Sequence, residues 1–476
     1  MFEKILLTAA LTAALFTSGA SAQESAPKRE LNLSLDSCIS IALSDNPSIR
    51  VADMEIRRMD YSKKETIGQL LPSVAFGATY NRTLAKQTMY MNMGRTGASA
   101  GSGSGSGESG DDKPAASQMP SGGIKVGLDN SYSMGFNLSM PLIAPQLWKT
   151  LRLSDSQILE SVEKARQSRI QTVNQVKNAY YTLLLAEDSY KVIRESYDMA
   201  KFTADLYAKQ YSLGAASRYD VLRTEVAVKN VEPELTQATI AIRQAKLQLL
   251  ILMGFDTTVD IVPANTLADY EKTMYADVLG IDRNISGNTD LRMLDIQTRQ
   301  LRDALSVQKM AWYPTLALTA NYNWTSMSDG SPLKNFRWNP YSMIGLTLSV
   351  PLFEGGQRHS RIKQAEIQVK EMEWQRSNLV RNIDMQTELA IDNIQMNVKQ
   401  ISSSAESVRQ AETAHGIMKQ SFEIGAASYL DLRDAELALT RSRLAYNQAI
   451  YNFLIAESNL ELLVGAFDVT PYMPSH

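Results

Sequence analysis

The sequence predicts a membrane protein of mixed α and β structure, in which four strands contribute to a shared β-barrel that long helices continue. Three observations predict this fold class: a secretory signal at the N-terminus, an internal repeat that relates the two halves, and alternating segments that separate long stretches of helix formers. The chain has 476 residues, of which 44% are hydrophobic, so it can bury a sizeable core.

The N-terminus has the features of a cleavable secretory signal over residues 1–22. Lys4 precedes an apolar run from Ile5 to Phe16, and Ala20-Ser21-Ala22 forms an A-x-A cleavage site. An amphipathic first helix is the alternative. No later stretch reaches the roughly 18 apolar residues of a spanning helix. Insertion into a membrane therefore requires β-strands closed into a barrel.

A repeat relates the two halves of the chain. The heptapeptide Gly214–Asp220 (GAASRYD) recurs 211 residues later as Gly425–Asp431 (GAASYLD). Two further pairs keep the same offset, Glu225 with Glu436 and Gly254 with Gly465. The segment after each turn therefore has the same length in both halves, which indicates two internal repeats.

Two stretches lack proline and are rich in Gln, Glu, Arg, Lys, Ala and Leu, the residue types that favour helix. They predict helices over residues 146–210 and 357–421. At about 1.5 Å per residue each helix is on the order of 100 Å long. This length exceeds that of helices in compact domains and is typical of a coiled coil or a tube.

Four segments alternate between apolar and small polar residues: 73–81, 132–142, 315–325 and 344–352. This alternation over about ten residues is typical of transmembrane β-strands. A strand of a soluble sandwich is the alternative for any one segment. In the last segment the alternation changes phase near Met343 and Ile344, which predicts a β-bulge there.

Four strands cannot close a barrel, and open strand edges are not tolerated in lipid. Closure therefore requires two, three or four chains, with eight, twelve or sixteen strands. Three or more chains would leave a lumen lined by the small polar faces.

The first half also contains an insert between Thr83 and Pro141 that includes the Gly/Ser run Gly101–Gly107. Its composition predicts a solvated loop, whether native or an engineered linker. Long loops of outer-membrane barrels face the exterior, so this insert and residues 326–340 are placed outside. The helices then extend into the periplasm and turn back at the two Gly-Ala-Ala-Ser sites.

Composition argues against several functions. The 48 Lys+Arg and 51 Asp+Glu leave no basic excess for nucleic acid. One Cys and three scattered His support neither a zinc cluster nor imidazole catalysis, and no nucleotide, metal or nucleophile motif is present. We therefore expect no enzymatic activity, no metal and no cofactor.

Several short motifs occur in a characteristic order: Leu33-Ser34-Leu35-Asp36, Asn46-Pro47, Leu71-Pro72, Val350-Pro351-Leu352 and the two Gly-x-x-Ser-x-x-Asp turns. With these the mature chain resembles the TolC-like outer-membrane efflux protein family. The resemblance implies a homotrimer with one 12-stranded barrel in outer-membrane lipid, an α-helical barrel in the periplasm and an equatorial belt. It also implies a passive exit duct of a tripartite efflux or type I secretion system, exporting small molecules or proteins. A periplasmic adaptor and an inner-membrane transporter would be its partners.

The predicted division of the chain follows from these features. It comprises the signal peptide (1–22), an N-terminal equatorial segment and first helix (23–70), strands 1 and 2 (71–142) with a long loop (84–130), a helical hairpin (143–255) with its tip near 214–217, an equatorial segment (256–288), a helix (289–313), strands 3 and 4 (314–352), a second hairpin (353–465) with its tip near 425–428, and a tail (466–476).

By the same resemblance, acidic rings near the closed entrance correspond to Asp431 and Asp434. Three chains would crowd these carboxylates, and their mutual repulsion would raise some of the pKa values. A helix-capping role is the alternative for Asp431, and also for Asp220. Asp434 is replaced by Arg223 in the first repeat, so a requirement shared by both hairpins does not explain it.

The family gate uses a tyrosine and an arginine where this chain has Phe422 and Ala427. Closure must therefore use other contacts, and three arginines are candidates to pair with the aspartates across the hairpins: Arg218, Arg223 and Arg433. The resemblance also implies that adaptors dock at the tip turns, formed by Gly214, Ala215, Ala216 and Ser217 and by Gly425, Ala426, Ala427 and Ser428.

Two other functions remain as alternatives. A periplasmic coiled-coil scaffold or adaptor would also have long antiparallel helices, but it would not need four alternating segments at matched positions. An outer-membrane enzyme would need a convergent catalytic set, which the three His do not provide.

Overall fold

The computed structural model describes residues 30–89, 124–256, 259–271, 284–332, 337–467 and 469–473. The predicted signal peptide and the Gly101–Gly107 run lie outside the described residues. Within those ranges, no helix has both the length and the apolar character that are needed to cross a membrane.

Eight helices and eight strands are used below to describe the fold. Up to the middle of the chain they are β1 (Glu30–Leu33), α1 (Leu35–Asp45), α2 (Pro47–Gly68), β2 (Ser73–Arg82), β3 (Gln87–Met89), β4 (Ile124–Val126), β5 (Asn130–Ile143), α3 (Pro145–Ser212) and α4 (Arg218–Met253). The remainder are β6 (Asp260–Pro263), α5 (Leu267–Glu271), α6 (Thr289–Met310), β7 (Thr315–Ser328), β8 (Asn339–Ser349), α7 (Gln357–Glu423) and α8 (Tyr429–Val464), with 3₁₀ turns at Ile285–Gly287 and Thr470–Tyr472.

The two long helices predicted from composition are confirmed as α3 and α7, which contain 68 and 67 residues. The helices that follow them, α4 and α8, contain 36 residues each. The two helices that precede strands β2 and β7, α2 and α6, contain 22 residues each. The uninterrupted runs of helix-forming residues in α3 and α7 therefore form helices of about the predicted length.

The chain divides into two compact units, each built from separate stretches of sequence. One unit takes the described residues up to Met59, Gln157–Arg299 and those from Lys370 onward. The other takes Asp60–Ser156 and Gln300–Val369, and it contains β2 to β5, β7 and β8. We call the first the helical unit and the second the sheet unit.

The sheet unit is built on one antiparallel sheet in the order β2-β5-β7-β8. Its register places the four predicted apolar faces on one side, because Phe76 lies opposite Phe136 and Phe136 lies opposite Tyr322. The Phe76 and Phe136 rings are 5.1 Å apart, and those of Tyr80 and Tyr132 are 4.9 Å apart. Cross-strand aromatic pairs of this kind stabilise a particular register.

The bulge predicted near Met343 and Ile344 is wrong. Strand β8 pairs with β7 without a break from Asn339 to Ser349. The phase change arises because Tyr341 and Met343 are apolar residues on the polar face, where the Tyr341 hydroxyl accepts a hydrogen bond from Asn323 at 3.2 Å. The register shift lies instead in β5, at Pro141, which has no N–H to donate to the ladder.

Two predicted boundaries also need correction. The last strand begins at Asn339 rather than residue 344 and ends at Ser349, before Pro351 interrupts hydrogen bonding. The segment predicted as a loop over residues 84–130 contains a short antiparallel ribbon, in which Gln87–Met89 pairs with Ile124–Val126. The central part of this loop lies outside the described residues.

The helical unit has a continuous core between its helices and a small parallel sheet. Strand β1 pairs with β6, so Leu31 lies beside Ile261. Fully buried residues of α1, α3, α4, α7 and α8 pack together with this sheet, among them Cys38, Leu183, Leu249, Ile394 and Phe453. Burial of such side chains contributes roughly 1.5–3 kcal/mol each.

A buried arginine connects distant parts of this unit. Arg169 of α3 is only 2% exposed, and its Nη2 donates to both carboxylate oxygens of Asp53 at 2.8 Å. Its Nε donates to the carbonyl oxygen of Tyr472 at 3.0 Å. The guanidinium therefore links α2, α3 and the C-terminal segment, and its charge-assisted hydrogen bonds offset part of the cost of its burial.

Gly465 ends α8 with φ +71°, and a Cβ on it would lie 2.1 Å from the carbonyl oxygen of Gly287. Gly425 has a similar φ of +75° but open space around it. We expect Gly465→Ala to lower stability by about 3 kcal/mol, since the backbones must separate. Gly425→Ala should cost only about 1 kcal/mol, the strain of a left-handed residue. Unfolding of the purified variants followed by circular dichroism checks this, and equal losses would contradict it.

Candidate functional site

The two hairpin turns of the helical unit share one backbone design. At the first turn Gly214 has φ +77°, its N–H donates to the carbonyl of Tyr211, and the N–H of Ala215 donates to that of Gln210. At the second turn the N–H of Gly425 donates to the carbonyl of Phe422 and that of Ala426 to Ser421. Both are Schellman motifs, which end a helix at a glycine in the left-handed region.

Each turn is followed by a complete capping box. The Ser217 hydroxyl donates to Asp220 Oδ2 at 2.6 Å and accepts from the Asp220 N–H at 3.1 Å. Ser428 and Asp431 repeat this arrangement, with distances of 2.7 and 3.3 Å. The capping role considered for both aspartates is therefore confirmed.

The capping bonds also set the charge state of these two carboxyls. The side-chain hydrogen bond from Ser217 holds the pKa of Asp220 below its usual value, and that from Ser428 does the same for Asp431. This direction is opposite to that expected for a crowded acidic ring. Within one chain, hydrogen bonding to the charged form outweighs desolvation, so both groups are ionised at neutral pH.

The predicted ion pairs across the hairpins do not form within one chain. Among the described residues, no ion pair within 4 Å joins Arg218, Arg223 or Arg433 to the three aspartates. Asp434 is exposed on α8, one turn after Asp431. Arg218 lies instead over the ring of Tyr211 in its own hairpin, with 6.0 Å between the guanidinium carbon and the centroid.

Arg223 joins the two hairpins through an aromatic ring. Its guanidinium carbon lies 4.6 Å from the ring centroid of Tyr429, the first residue of α8. The Tyr429 ring meets Tyr207 of α3 edge-on at 5.6 Å, and Phe422 lies 6.4 Å from Tyr207. We call Arg223, Tyr429, Tyr207 and Phe422 the tip cluster.

Sequence reasoning identified Arg223 and Phe422 of the tip cluster but missed both tyrosines. Tyr429 occupies the position that Arg218 has in the first repeat. This difference between repeats could have drawn attention to it. Tyr207 carries no such signal, because only packing of α3 against the second hairpin places it there.

A third contact joins the hairpins farther along α8. The guanidinium of Arg443 donates to Glu195 of α3 at 2.7 Å and to Glu412 of α7 at 2.8 Å. All three side chains are partly exposed, so each pair contributes little by itself. Together they link α3, α7 and α8.

Comparison with known proteins identifies the family to which this fold belongs. The family model described as outer membrane efflux protein matches residues 38–255 and 280–466. The chain belongs to the outer membrane efflux protein family. The resemblance inferred from the sequence is confirmed.

Relatives support the same conclusion. The chain is 24% identical over 353 residues to the alkaline protease secretion protein AprF of Pseudomonas aeruginosa, covering 71% of this chain and 70% of AprF. It is 23% identical over 368 residues to the outer membrane protein TolC of Escherichia coli, covering 71% and 70%. The crystal structure of the CmeC outer membrane channel of Campylobacter jejuni matches 90% of this chain and 85% of CmeC, with TM-score 0.66 and 18% identity.

Membership of this family gives the chain its general role. It is an outer-membrane exit duct of the kind that serves tripartite efflux or type I secretion systems, with its helices in the periplasm. The mixed helical and sheet fold expected from the sequence is confirmed. Among the described residues, no cluster of three or more His, Cys, Asp or Glu is arranged to hold a metal ion.

The tip cluster generates a prediction about packing between the hairpins. Arg223→Ala should remove a cation–π contact of about 1 kcal/mol and so raise amide exchange about fivefold in the first turns of α8. Arg218→Ala is the matched control, because its ring partner lies within the first hairpin. Hydrogen–deuterium exchange of the purified protein measures both. Equal exchange in α8 for the two variants would show that Arg223 does not join the hairpins.

Proposed function

We propose that the chain works as a homotrimer in which three four-stranded sheets close one 12-stranded barrel. The observation that supports this most is the sheet β2-β5-β7-β8, whose outer strands are unpaired on one side within the described residues. An unpaired edge exposes backbone N–H and C=O groups that lipid cannot satisfy. Pairing of β8 with β2 of a second copy would satisfy them.

The apolar face of this sheet supports a location against lipid. Phe76, Ile344, Leu346 and Leu348 share this face and are 58–75% exposed in the single chain. Exposed apolar patches of this size mark interaction surfaces in proteins. In the proposed barrel this face contacts outer-membrane lipid, and the small polar face lines the lumen.

The hairpins of the helical unit would continue the duct into the periplasm. In the proposed trimer their helices α3, α4, α7 and α8 form an α-helical barrel. The segments around β1, β6 and the C-terminal tail form the equatorial belt. The tip turns dock a periplasmic adaptor that connects the duct to an inner-membrane transporter.

The proposed gate is the tip, where the two hairpins approach each other. The tip cluster takes the place of the missing tyrosine and arginine of the family gate, because the Arg223–Tyr429 contact joins the hairpins in the single chain. Asp434 is exposed on α8 and makes no ion pair among the described residues, so it remains available to face the pore. Docking of the adaptor would separate the hairpins and open the entrance.

The trimer can be tested in outer-membrane fractions. The full chain should be extracted by detergent and migrate as a trimer that converts to monomer on heating. In planar bilayers the purified trimer should give discrete single-channel currents. A monomer released into the periplasmic fraction, without conductance, would support the coiled-coil scaffold instead.

Asp434 generates a second prediction. Three carboxylates at a narrow entrance would attract divalent cations, so Asp434→Asn should weaken block of single-channel current by Mg²⁺ roughly tenfold. Asp384→Asn is the control, because Asp384 is an exposed aspartate of α7 that is far along the helix from the tip cluster. Unchanged block in Asp434→Asn would remove Asp434 from the pore.

A further inference from the structure

A groove of about 860 Å³ runs between the two hairpins beside the tip cluster. Helix α3 of the first hairpin forms one wall, and α7, the second turn and α8 form the other. All of its lining residues belong to the helical unit of one chain. We call it the tip groove. Its volume lies within the range of small-molecule sites, about 300–1,000 Å³.

The walls of the tip groove are largely apolar and aromatic. Phe202 at its edge is 71% exposed, which is unusual for a phenylalanine, and the rings of Tyr207 and Phe422 lie deeper. Leu206 and Leu432 also line the groove. Such a surface suits a ligand with an apolar body, and its rings can also interact with a positive charge.

One acidic side chain in the groove lacks a partner. Glu436 is only 8% exposed, and no hydrogen-bond donor or ion-pair partner meets its carboxylate among the described residues. Burial raises the pKa of Glu436, and the positive charges of Arg433 and Lys419 partly oppose this rise. Buried carboxylates are normally paired, so a carboxylate without a partner is unusual at this degree of burial.

The repeat supplies a direct comparison. Glu225 occupies the position of Glu436 in the first hairpin, and there the glutamate is exposed. The repeat fold therefore does not by itself bury a glutamate at this position. Of the two glutamates, Glu436 is the one that is buried and lines the tip groove.

The charges around the groove favour a cationic ligand. Asp198, Glu423, Glu436 and Lys419 are the charged residues that line it. Asp198 pairs with Arg194 at 3.1 Å, whereas Glu423 and Glu436 form no ion pair among the described residues. His415 also lines it, and burial lowers its pKa, so that its imidazole is neutral at neutral pH. Two carboxylates without an ion-pair partner in the described part of the chain thus lie next to the apolar wall.

We propose that the tip groove binds a small hydrophobic organic cation, whose charge pairs with Glu436 and whose apolar body packs on Phe202, Tyr207 and Phe422. The cation supplies the partner that the carboxylate lacks. A single lysine or arginine side chain of a partner protein would also satisfy the charge, but it would leave most of the apolar wall uncovered. A ligand in this place contacts both hairpins.

Tetraphenylphosphonium is a suitable probe, and binding is measured by titration calorimetry on the full-length trimer in detergent. Wild-type protein should bind with one saturable site per chain. Glu436→Gln should weaken binding about tenfold or more, since a charge-assisted contact is lost. Glu225→Gln is the matched control and should bind like wild type. The neutral analogue triphenylphosphine oxide should bind about tenfold more weakly than the cation.

Glu436→Gln should fold, because an unpaired buried carboxylate is replaced by a neutral side chain of the same size. A second variant, Phe202→Ala, alters an exposed ring and should weaken binding several-fold without affecting the fold. Equal affinity of wild type, Glu436→Gln and Phe202→Ala would overturn the proposal. So would titrations that show only unsaturable partition into the micelles. Single-channel conductance is measured separately, so failure here leaves the proposed duct untouched.

Discussion

The backbone hydrogen bonds of the four-stranded sheet are the constraint on which the rest of the structure depends. Strands β2 and β8 pair on one side only within the described part of the chain. A single chain therefore exposes a row of N–H and C=O groups along each edge, next to a broad apolar face. The unpaired edges are costly in lipid, whereas the apolar face is costly in water. In the trimer that we propose, pairing between copies satisfies the edges, and lipid covers the apolar face.

At the tips, local sequence determines the backbone of the turns, and long-range packing determines the side-chain contacts. The backbone of each turn is determined locally, by a glycine in the left-handed region and by a serine and an aspartate that cap the next helix. Both hairpins share this design, so it cannot by itself distinguish their roles. The differences lie in the side chains that follow, where Arg223 reaches Tyr429 of the other hairpin and Glu436 becomes buried. A common scaffold thus carries different contacts in its two copies.

Arg169 illustrates how the helical unit is held at its other end. The same guanidinium binds Asp53 and the carbonyl of Tyr472, so it connects residues near the two ends of the chain. A buried arginine of this kind contributes to specificity of the arrangement more than to stability, since its desolvation offsets much of the gain. The parallel pairing of β1 with β6 also joins two segments that are far apart in the sequence. Together they fix the segments from which we propose that the belt is built.

The sequence by itself determined the features that depend on residues close together in the chain. These are the helices α3 and α7, the apolar faces of the strands, and the capping boxes at Ser217 and Ser428. Each follows from helix propensity, a two-residue period or a turn of fixed geometry. Tertiary structure alone decided the continuous pairing of β8, the burial of Glu436 and the partner of Arg223. These depend on which helices and strands meet. The residues concerned are far apart in sequence, and no local pattern specifies the packing that brings them together.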